Sequence, residues 1–378
     1  LLDLHDTARR LLADAGAIHV PTLMLAAGRD YVVSLGRQRE FFNRLSSPFK
    51  QMHVFPAMHH AIFHEREREE VIARVRAFCH ECFAQPRLSG SLRQADRYGH
   101  TWEEFEWLKL RGSPRFLIAK AGVKLAGRLS KGIELGWRTG FDSGQSLDYV
   151  YKNLPEGSSR LARLVDANYL DSPGWRGVRV RKANLEKALR DVIEKLRNDR
   201  RPIRILDVAA GAGRYVLETM RELRGIPMSA TLRDNTPENV EAARQLACQF
   251  GLENVAVEIG DAFDRIGLTK LAPRATIGIV SGLYELFPSN EAVAGSLGGL
   301  AAAIEPGGFL IYTNQPWHPQ LEFIARVLRN REGKPWIMRR RTTAEIDELV
   351  QSAGFEKCGM EIDRWGMFTV SIARRIQT

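Results

Sequence analysis

The stretch that decides the fold is Arg204-Ile205-Leu206-Asp207-Val208-Ala209-Ala210-Gly211-Ala212-Gly213-Arg214. An apolar strand runs directly into a turn of small residues, and the apolar spacing of residues 215–223 predicts a helix behind it. Glycine carries no Cβ, so backbone N–H groups and the start of the helix can approach a bound molecule closely. The sequence therefore predicts a ligand site where this strand ends.

Polar or small residues also follow the next three predicted strands, which cover residues 228–233, 254–259 and 275–280. These residues are Asp234 and Asn235, Asp261 and Ala262, and Ser281. Asp234 lies 21 residues beyond Gly213, the distance at which an acidic residue binds ribose hydroxyls in dinucleotide folds. The strand ends therefore predict a site for a ligand that contains ribose.

Strands and helices alternate through residues 199–378. This order and the strand-end residues resemble the class I S-adenosylmethionine (SAM) dependent methyltransferases, whose first motif reads acidic-x-Gly-x-Gly-x-Gly. In this chain alanine stands at the first glycine. The resemblance implies SAM as cofactor and a Rossmann-like, doubly wound α/β sheet with an antiparallel last strand. The cofactor-binding residues that it implies are Asp207, Ala209, Gly211, Gly213, Asp234, Asn235, Asp261, Ala262 and Ser281. A dehydrogenase is the alternative, but Gly213 is not followed by x-x-Gly, which disfavours the dinucleotide motif.

Methyl transfer from a sulfonium requires an aligned nucleophile and exclusion of water, and a base only where the acceptor enters protonated. Glu285 and His318, which follow the fourth and fifth predicted strands, are the candidates for catalytic roles. The segment 314–317 is similar to the Asn-Pro-Pro-aromatic motif of DNA and amine methylating enzymes. It departs from that motif at Gln315 and follows a different strand, so no role is carried over.

Residues 146–198 are helical and lie just before the predicted sheet. We expect them to form a lid that selects the substrate, because class I enzymes commonly place N-terminal helices over the cofactor. The aromatic and polar residues that suit this role are Tyr149, Tyr151, Asn168, Tyr169, Trp175 and Arg176.

Two segments near the start of the chain form a second pattern. The strand and loop of residues 21–30 end in Asp30, and the loop of residues 55–65 carries His60. Both resemble α/β-hydrolases of the lysophospholipase or monoacylglycerol-lipase type, which implies Asp30 as catalytic acid and His60 as catalytic histidine. The nucleophilic serine precedes both in that fold. No G-x-S-x-G occurs in the 378 residues and residue 1 is Leu, so we expect a fragment whose nucleophile lies upstream.

The net charge of +10 is concentrated in the middle of the chain. Residues 101–200 hold 20 Lys and Arg against 13 Asp and Glu, whereas residues 201–378 hold 21 of each. Such a basic segment can bind nucleic acid or anionic lipid, or it can be a solvated face. No apolar run is long enough to span a bilayer. Four cysteines, with a lone C-x-x-C at Cys79 and Cys82, predict no metal site and favour a cytoplasmic location.

These observations predict four regions. They are the C-terminal part of an α/β-hydrolase domain (1–85), a basic helical linker (86–145), a helical lid (146–198) and a class I SAM-dependent methyltransferase domain (199–378). The predicted function is methyl transfer from SAM to a small-molecule or lipid-like acceptor, within a hydrolase–methyltransferase fusion. Hydrolase activity is expected only in a longer parent chain. The alternatives are an RNA methyltransferase that uses residues 101–200 and a SAM-binding regulator without catalysis.

Overall fold

A computed structural model describes residues 7–8, 11–12, 15–18, 20–45, 47, 49–84, 91–97, 100–110 and 112–376. The chain divides into two compact units, residues 1–103 and residues 104–378. The division falls inside helix α3 (His100–Lys109), within the region predicted as a basic linker. Among the described residues, no helix combines the length and the apolar character needed to cross a membrane.

The first unit is a short α/β element. Its parallel strands are β1 (Thr22–Ala27) and β2 (Lys50–Phe55), and its helices are α1 (Leu35–Arg44) and α2 (Arg68–Ala84). Its small core consists of Ala27, Phe55, Met58, Ile62 and Val71. The strand predicted over residues 22–27 has those bounds, whereas residues 86–90 of the predicted linker lie outside the described residues.

A seven-stranded sheet forms the centre of the second unit. Its strands are β3 (Arg204–Asp207), β4 (Ser229–Asp234), β5 (Val255–Ile259), β6 (Ala275–Val280), β7 (Ile304–Asn314), β8 (Phe355–Ile362) and β9 (Thr369–Arg375). Their order is β5-β4-β3-β6-β7-β9-β8. Strands β3 to β7 are parallel, and β9 is antiparallel to both β7 and β8. This confirms the predicted doubly wound sheet with an antiparallel last strand.

The strand order creates a crevice at the carboxyl edge of this sheet. The chain moves outward from β3 to β4 and β5, and then returns to β6 on the other side of β3. Connections therefore leave β3 and β6 in opposite directions, which is the topological switch point where ligands bind in open α/β sheets. The predicted site residues follow these strands.

Helices cover both faces of the sheet because its central strands are apolar on both sides. Strand β6, for example, is buried along its whole length. One face is covered by α8 (Pro173–Asn198), α9 (Arg214–Glu222) and α10 (Pro237–Gln249). The other is covered by α11 (Arg265–Thr269), α12 (Asn290–Ala303) and α14 (Thr343–Ser352).

Shorter helices form what we call the cap, which packs around a third apolar cluster. It contains α4 (Arg115–Ala126), α5 (Lys131–Thr139), α6 (Gly144–Lys152), α7 (Arg160–Leu170) and α13 (Leu321–Val327). The cap also receives the turn between β8 and β9, through Met367 and Phe368.

A single buried carboxylate, Asp166 of α7, joins three helices of the cap. One of its oxygens accepts from the Ser130 hydroxyl at 2.6 Å and the Gly132 N–H at 2.8 Å, at the start of α5. The other accepts from the Tyr149 hydroxyl of α6 and from the Glu156 N–H at 2.9 Å. Four donors satisfy the carboxylate, as a buried charge requires.

Candidate functional site

The turn after β3 depends on glycine at two positions. Gly211 and Gly213 have φ angles of +56° and +66°, where a side chain is strained. A Cβ on Gly213 would also lie 2.5 Å from Leu232 Cδ1. The turn therefore brings the backbone and the first residues of α9 to the crevice.

Asp207, at the end of β3, supports this turn from below. Its side chain is fully buried, accepts the Ala209 N–H at 3.3 Å and accepts from the Tyr215 hydroxyl of α9. Burial raises the pKa of Asp207 to about 7. Asp207 and Gly213 are buried and do not line the crevice, so the structure does not place these two predicted residues on its surface.

Asp234, at the end of β4, ties the neighbouring loops together. It accepts the Gly211 N–H at 2.9 Å, the Thr236 N–H at 3.0 Å and the Asn239 side-chain amide at 3.0 Å. An ionised carboxylate offers about four acceptor positions. Three are used, so one remains for a hydroxyl of a ligand.

The other predicted cofactor residues border one cleft of about 80 Å³ at this edge. Those that line it are Ala209, Gly211, Asp234, Asn235, Asp261, Ala262 and Ser281. The Asp261 carboxylate accepts the Phe263 N–H at 2.9 Å, which fixes its position at the end of β5. The structure thus brings seven of the nine predicted residues to this cleft, whereas Asp207 and Gly213 are buried and do not line it.

A second, larger cavity of about 350 Å³ lies beside this cleft, between the sheet edge and the cap. Its lining is mainly apolar and aromatic, with Trp175 and Trp336 stacked at 6.1 Å and Tyr169 edge-on to Trp175 at 5.8 Å. Asn168, Tyr169 and Trp175 were predicted as lid residues and line this cavity. Tyr149 is instead bonded to Asp166.

Glu285 lines the same cavity and is held in a buried ion pair. Its carboxylate lies 3.3 Å from the guanidinium of Arg181, and both side chains are less than a tenth exposed. The guanidinium also lies 4.9 Å from the ring centroid of Phe368. Two buried charges that neutralise each other position the cavity wall, because neither tolerates burial without its partner.

His318 lines the same cavity and is buried as a neutral ring. Its Nδ1 accepts the Gln320 N–H at 3.1 Å, so the ring proton sits on Nε2. Burial lowers the pKa of His318 to about 4. The group that His318 offers a ligand is therefore an N–H donor and not a base.

Three residues line both cavities, Asp142, Leu147 and Gly282, and we call the place where the cavities adjoin the passage. Asp142 is the only one of the three with a titratable side chain. It accepts the Arg331 N–H at 2.6 Å and lies 3.3 Å from the Arg331 Nε. Burial raises the pKa of Asp142 above its ordinary value despite this partner.

Sequence reasoning missed Asp142, Arg181 and Trp336. Asp142 lies in the segment Gly140-Phe141-Asp142-Ser143-Gly144, whose composition is that of a turn, where an aspartate is an ordinary residue. Arg181 lies on a long, basic helix, where arginine is usually solvated. Only the packing of the cap against the sheet edge brings these residues to the cavity, and no local pattern encodes that packing.

In the first unit, the structure brings the two predicted hydrolase residues together. His60 Nδ1 lies 3.0 Å from Asp30 Oδ2, and Asp30 also accepts the N–H groups of Val32 at 2.8 Å and Val33 at 2.9 Å. The Val33 N–H is the main reason that the pKa of Asp30 is lowered. The neighbouring His59 contacts Glu65 at 3.2 Å instead.

Two family profiles match the chain. The profile of a family described as "Putative methyltransferase" matches residues 75–375. The profile of a hydrolase family described as "Serine aminopeptidase, S33" matches residues 1–67. The first match contains the residues predicted to bind SAM, and the second contains Asp30 and His60.

Known proteins resemble the chain over most of its length. The uncharacterized protein YnbC of Escherichia coli (strain K12) is 44% identical over 99% of this chain, and the chain spans 65% of the length of that relative. The structure of a possible exported protein from Bordetella parapertussis superposes with a TM-score of 0.52 at 19% identity, over 75% of this chain and 97% of that chain. Magnesium protoporphyrin IX methyltransferase from Synechocystis PCC 6803, solved with bound SAH, gives a TM-score of 0.42 at 15% identity, over 63% of this chain and 97% of that chain.

Proposed function

The chain belongs to the methyltransferase family whose profile matches residues 75–375, and we propose that it transfers a methyl group from SAM to a largely apolar, small-molecule or lipid-like acceptor. The observation that carries this proposal is the junction of two cavities. A cleft at the switch point of the sheet, lined by three aspartates, adjoins a mainly apolar cavity of about 350 Å³ at Leu147 and Gly282.

The residues of the cleft suit the groups of SAM. The remaining acceptor position of Asp234 suits a ribose hydroxyl, and Asp261 suits the amino group of adenine. The glycine turn leaves space for the methionine part, because Gly211 presents no Cβ there. When bound, SAM supplies an activated methyl group. The protein then has to hold the acceptor in line with it and keep water out.

The larger cavity favours an apolar acceptor that carries a polar group. Its aromatic walls suit a ring or an acyl chain. Two buried donors of this wall lack a hydrogen-bond partner within the part of the chain that the structure describes: Arg181 Nε and Trp336 Nε1. Unpaired buried donors are costly, so an oxygen-bearing acceptor that satisfies one of them gains affinity.

We propose that Asp142 is the general base that removes a proton from the acceptor. It lies at the passage between the cavities, and a carboxylate whose pKa is raised by burial is a stronger base than an exposed one. Glu285 and His318, the residues predicted from the sequence, suit positioning better. Glu285 is paired with the buried Arg181, whereas Arg331, the partner of Asp142, is 36% exposed and its charge is therefore screened by water. His318 carries its proton on the only nitrogen left for a ligand.

We interpret the first unit as the C-terminal part of a hydrolase domain in a hydrolase–methyltransferase fusion. The profile match over residues 1–67 and the contact between His60 and Asp30 support this interpretation. In such a protein the second unit would methylate a molecule related to the hydrolase substrate or product.

Calorimetry with SAM tests the cofactor proposal. Asp234→Ala should bind SAM at least several-fold more weakly, because loss of a ribose hydrogen bond costs about 1–3 kcal/mol. Glu253→Ala, an exposed acid before β5, is the matched control and should bind like the wild type. Thermal melting of both variants verifies that they are folded. Unchanged affinity in a folded Asp234→Ala variant would remove Asp234 from the site.

Labelled SAM added to a cell extract, followed by mass-shift profiling, tests the reaction and its acceptor. Labelled small molecules or lipids are expected. Label in RNA would instead identify an RNA methyltransferase. Tight SAM binding without any labelled product would identify a regulator and contradict the proposed catalysis.

A further inference from the structure

Helix α4 (Arg115–Ala126) exposes an apolar face to solvent. Leu117, Ile118 and Leu125 are 72%, 77% and 61% exposed, and none of the twelve residues of the helix is buried. Leu129, just beyond the helix, is also exposed. Contiguous apolar surface of this kind usually marks an interaction site, because single exposed leucines are common but clusters are not.

The face is continuous around the helix. At about 100° per residue, Leu117, Ile118, Ala121, Gly122 and Leu125 fall within an arc of about 140°. All five are exposed, and a Cβ added to Gly122 would contact nothing within 4 Å. The opposite side of the helix packs inward. The outer face is therefore not part of the protein's core.

Cationic residues flank this face, and acidic residues are absent from the surrounding sequence. Between Glu106 and Glu134 the chain contains seven Lys and Arg and no Asp or Glu. On the helical projection Lys120 and Lys124 lie at one margin of the apolar arc and Arg115 at the other. An apolar face between basic margins is the pattern of a helix that lies in a membrane interface.

The inner side of the same helix forms a wall of the larger cavity. Val123 lines this cavity and packs in the apolar cluster of the cap. Only the width of this one helix therefore separates the exposed apolar face from the site where we place the acceptor. A molecule that reached the cavity from a lipid surface would have to travel only across or beside this helix.

We propose that the outer face of α4 docks the protein on the surface of a bilayer that contains anionic phospholipids. The exposed leucine and isoleucine side chains enter the acyl boundary, and the flanking lysine and arginine side chains contact lipid phosphates. The composition favours a bilayer over nucleic acid, because nucleic acid would be bound by the cations and would leave the apolar face exposed to water. The docking itself does not depend on methyl transfer.

Co-sedimentation of the chain with vesicles tests the proposal. Binding is expected to vesicles that contain phosphatidylglycerol and to be much weaker with phosphatidylcholine alone. The double variant Leu117→Ser with Ile118→Ser should lose at least about tenfold in binding, since both apolar side chains leave the acyl boundary. Ile266→Ser, which removes an equally exposed side chain (68%) on α11, should bind like the wild type.

Neutral variants test whether the basic side chains contact lipid phosphates. Lys124→Gln on the helix, and Arg128→Gln at an exposed position next to Leu129, should each weaken binding to anionic vesicles by about fivefold, the contribution of one basic residue near an anionic surface. Lys270→Gln, an exposed lysine at the end of α11, should have no effect.

One added tryptophan locates the contact, because its emission can be obtained by subtracting the spectrum of the wild type. The emission added by Leu117→Trp should shift to the blue when anionic vesicles are present, whereas the emission added by Ile266→Trp should not. Vesicle binding that survives Leu117→Ser with Ile118→Ser overturns the proposal. Tight binding of an RNA oligonucleotide that depends on Lys124 and Arg128 but not on Leu117 also overturns it and indicates a nucleic-acid surface.

Discussion

Asp207 should make the stability of the second unit depend on pH. The pKa of this buried carboxyl is raised from an ordinary 3.8 to about 7, so between those values the folded state binds more protons than the unfolded state. Stability therefore falls as pH rises through this range. At about 1.4 kcal/mol per pKa unit, the loss amounts to about 2.5 kcal/mol between pH 5 and pH 8. Asp207→Asn stays neutral and should lack this part of the pH dependence.

The measurement is urea unfolding of the wild type and of Asp207→Asn at pH 5 and pH 8. Tryptophan emission reports the second unit, since six of the seven tryptophans lie after residue 103. The wild-type free energy of unfolding, relative to the variant, should be lower at pH 8 by about 2.5 kcal/mol. Glu253→Gln, at an exposed position, should follow the wild type at both values. Parallel pH dependence of wild type and Asp207→Asn would refute the burial argument.

We expect His318 to remain neutral during turnover, and we expect Asp30 and His60 to be inactive without a serine. Because burial lowers the pKa of His318 to about 4, wild type and His318→Gln should give pH profiles of kcat/KM with the same shape between pH 5 and 8, although the variant is slower. A limb near pH 6.5 that disappears in the variant would show that His318 titrates during turnover. For the first unit, a fluorophosphonate should leave this chain unlabelled, since a triad acts only as a unit and no G-x-S-x-G is present. Ester hydrolysis that is lost in His60→Ala would contradict that expectation.

The sheet and its cofactor edge could be predicted from the sequence because they are encoded locally. Apolar strands mark the sheet, and the residues at the strand ends mark the cleft. A local detail is encoded in the same way, because Glu305-Pro306-Gly307-Gly308 has the composition of a turn. Ile304 pairs with Ala275 and Phe309 pairs with Ile277, so the residues between them form a bulge inside β7.

The larger cavity could not be predicted because its residues meet only through tertiary packing. Arg181 and Glu285 are 104 positions apart, and nothing in either local sequence indicates a partner. The same holds for Asp142 and Arg331, which are 189 positions apart. Asp207 differs in another way: the sequence indicates an acid at this position, but only the structure shows that it is buried beneath the turn.

The convergence of four donors on Asp166 has a consequence for the timing of turnover. Because α5, α6 and α7 share one carboxylate, none of these helices can move away alone without leaving buried partners unsatisfied. These three helices should therefore open together in one concerted step, with a single rate constant. Exchange of acceptor and product would then proceed in discrete openings, and the frequency of those openings would set the upper limit on turnover.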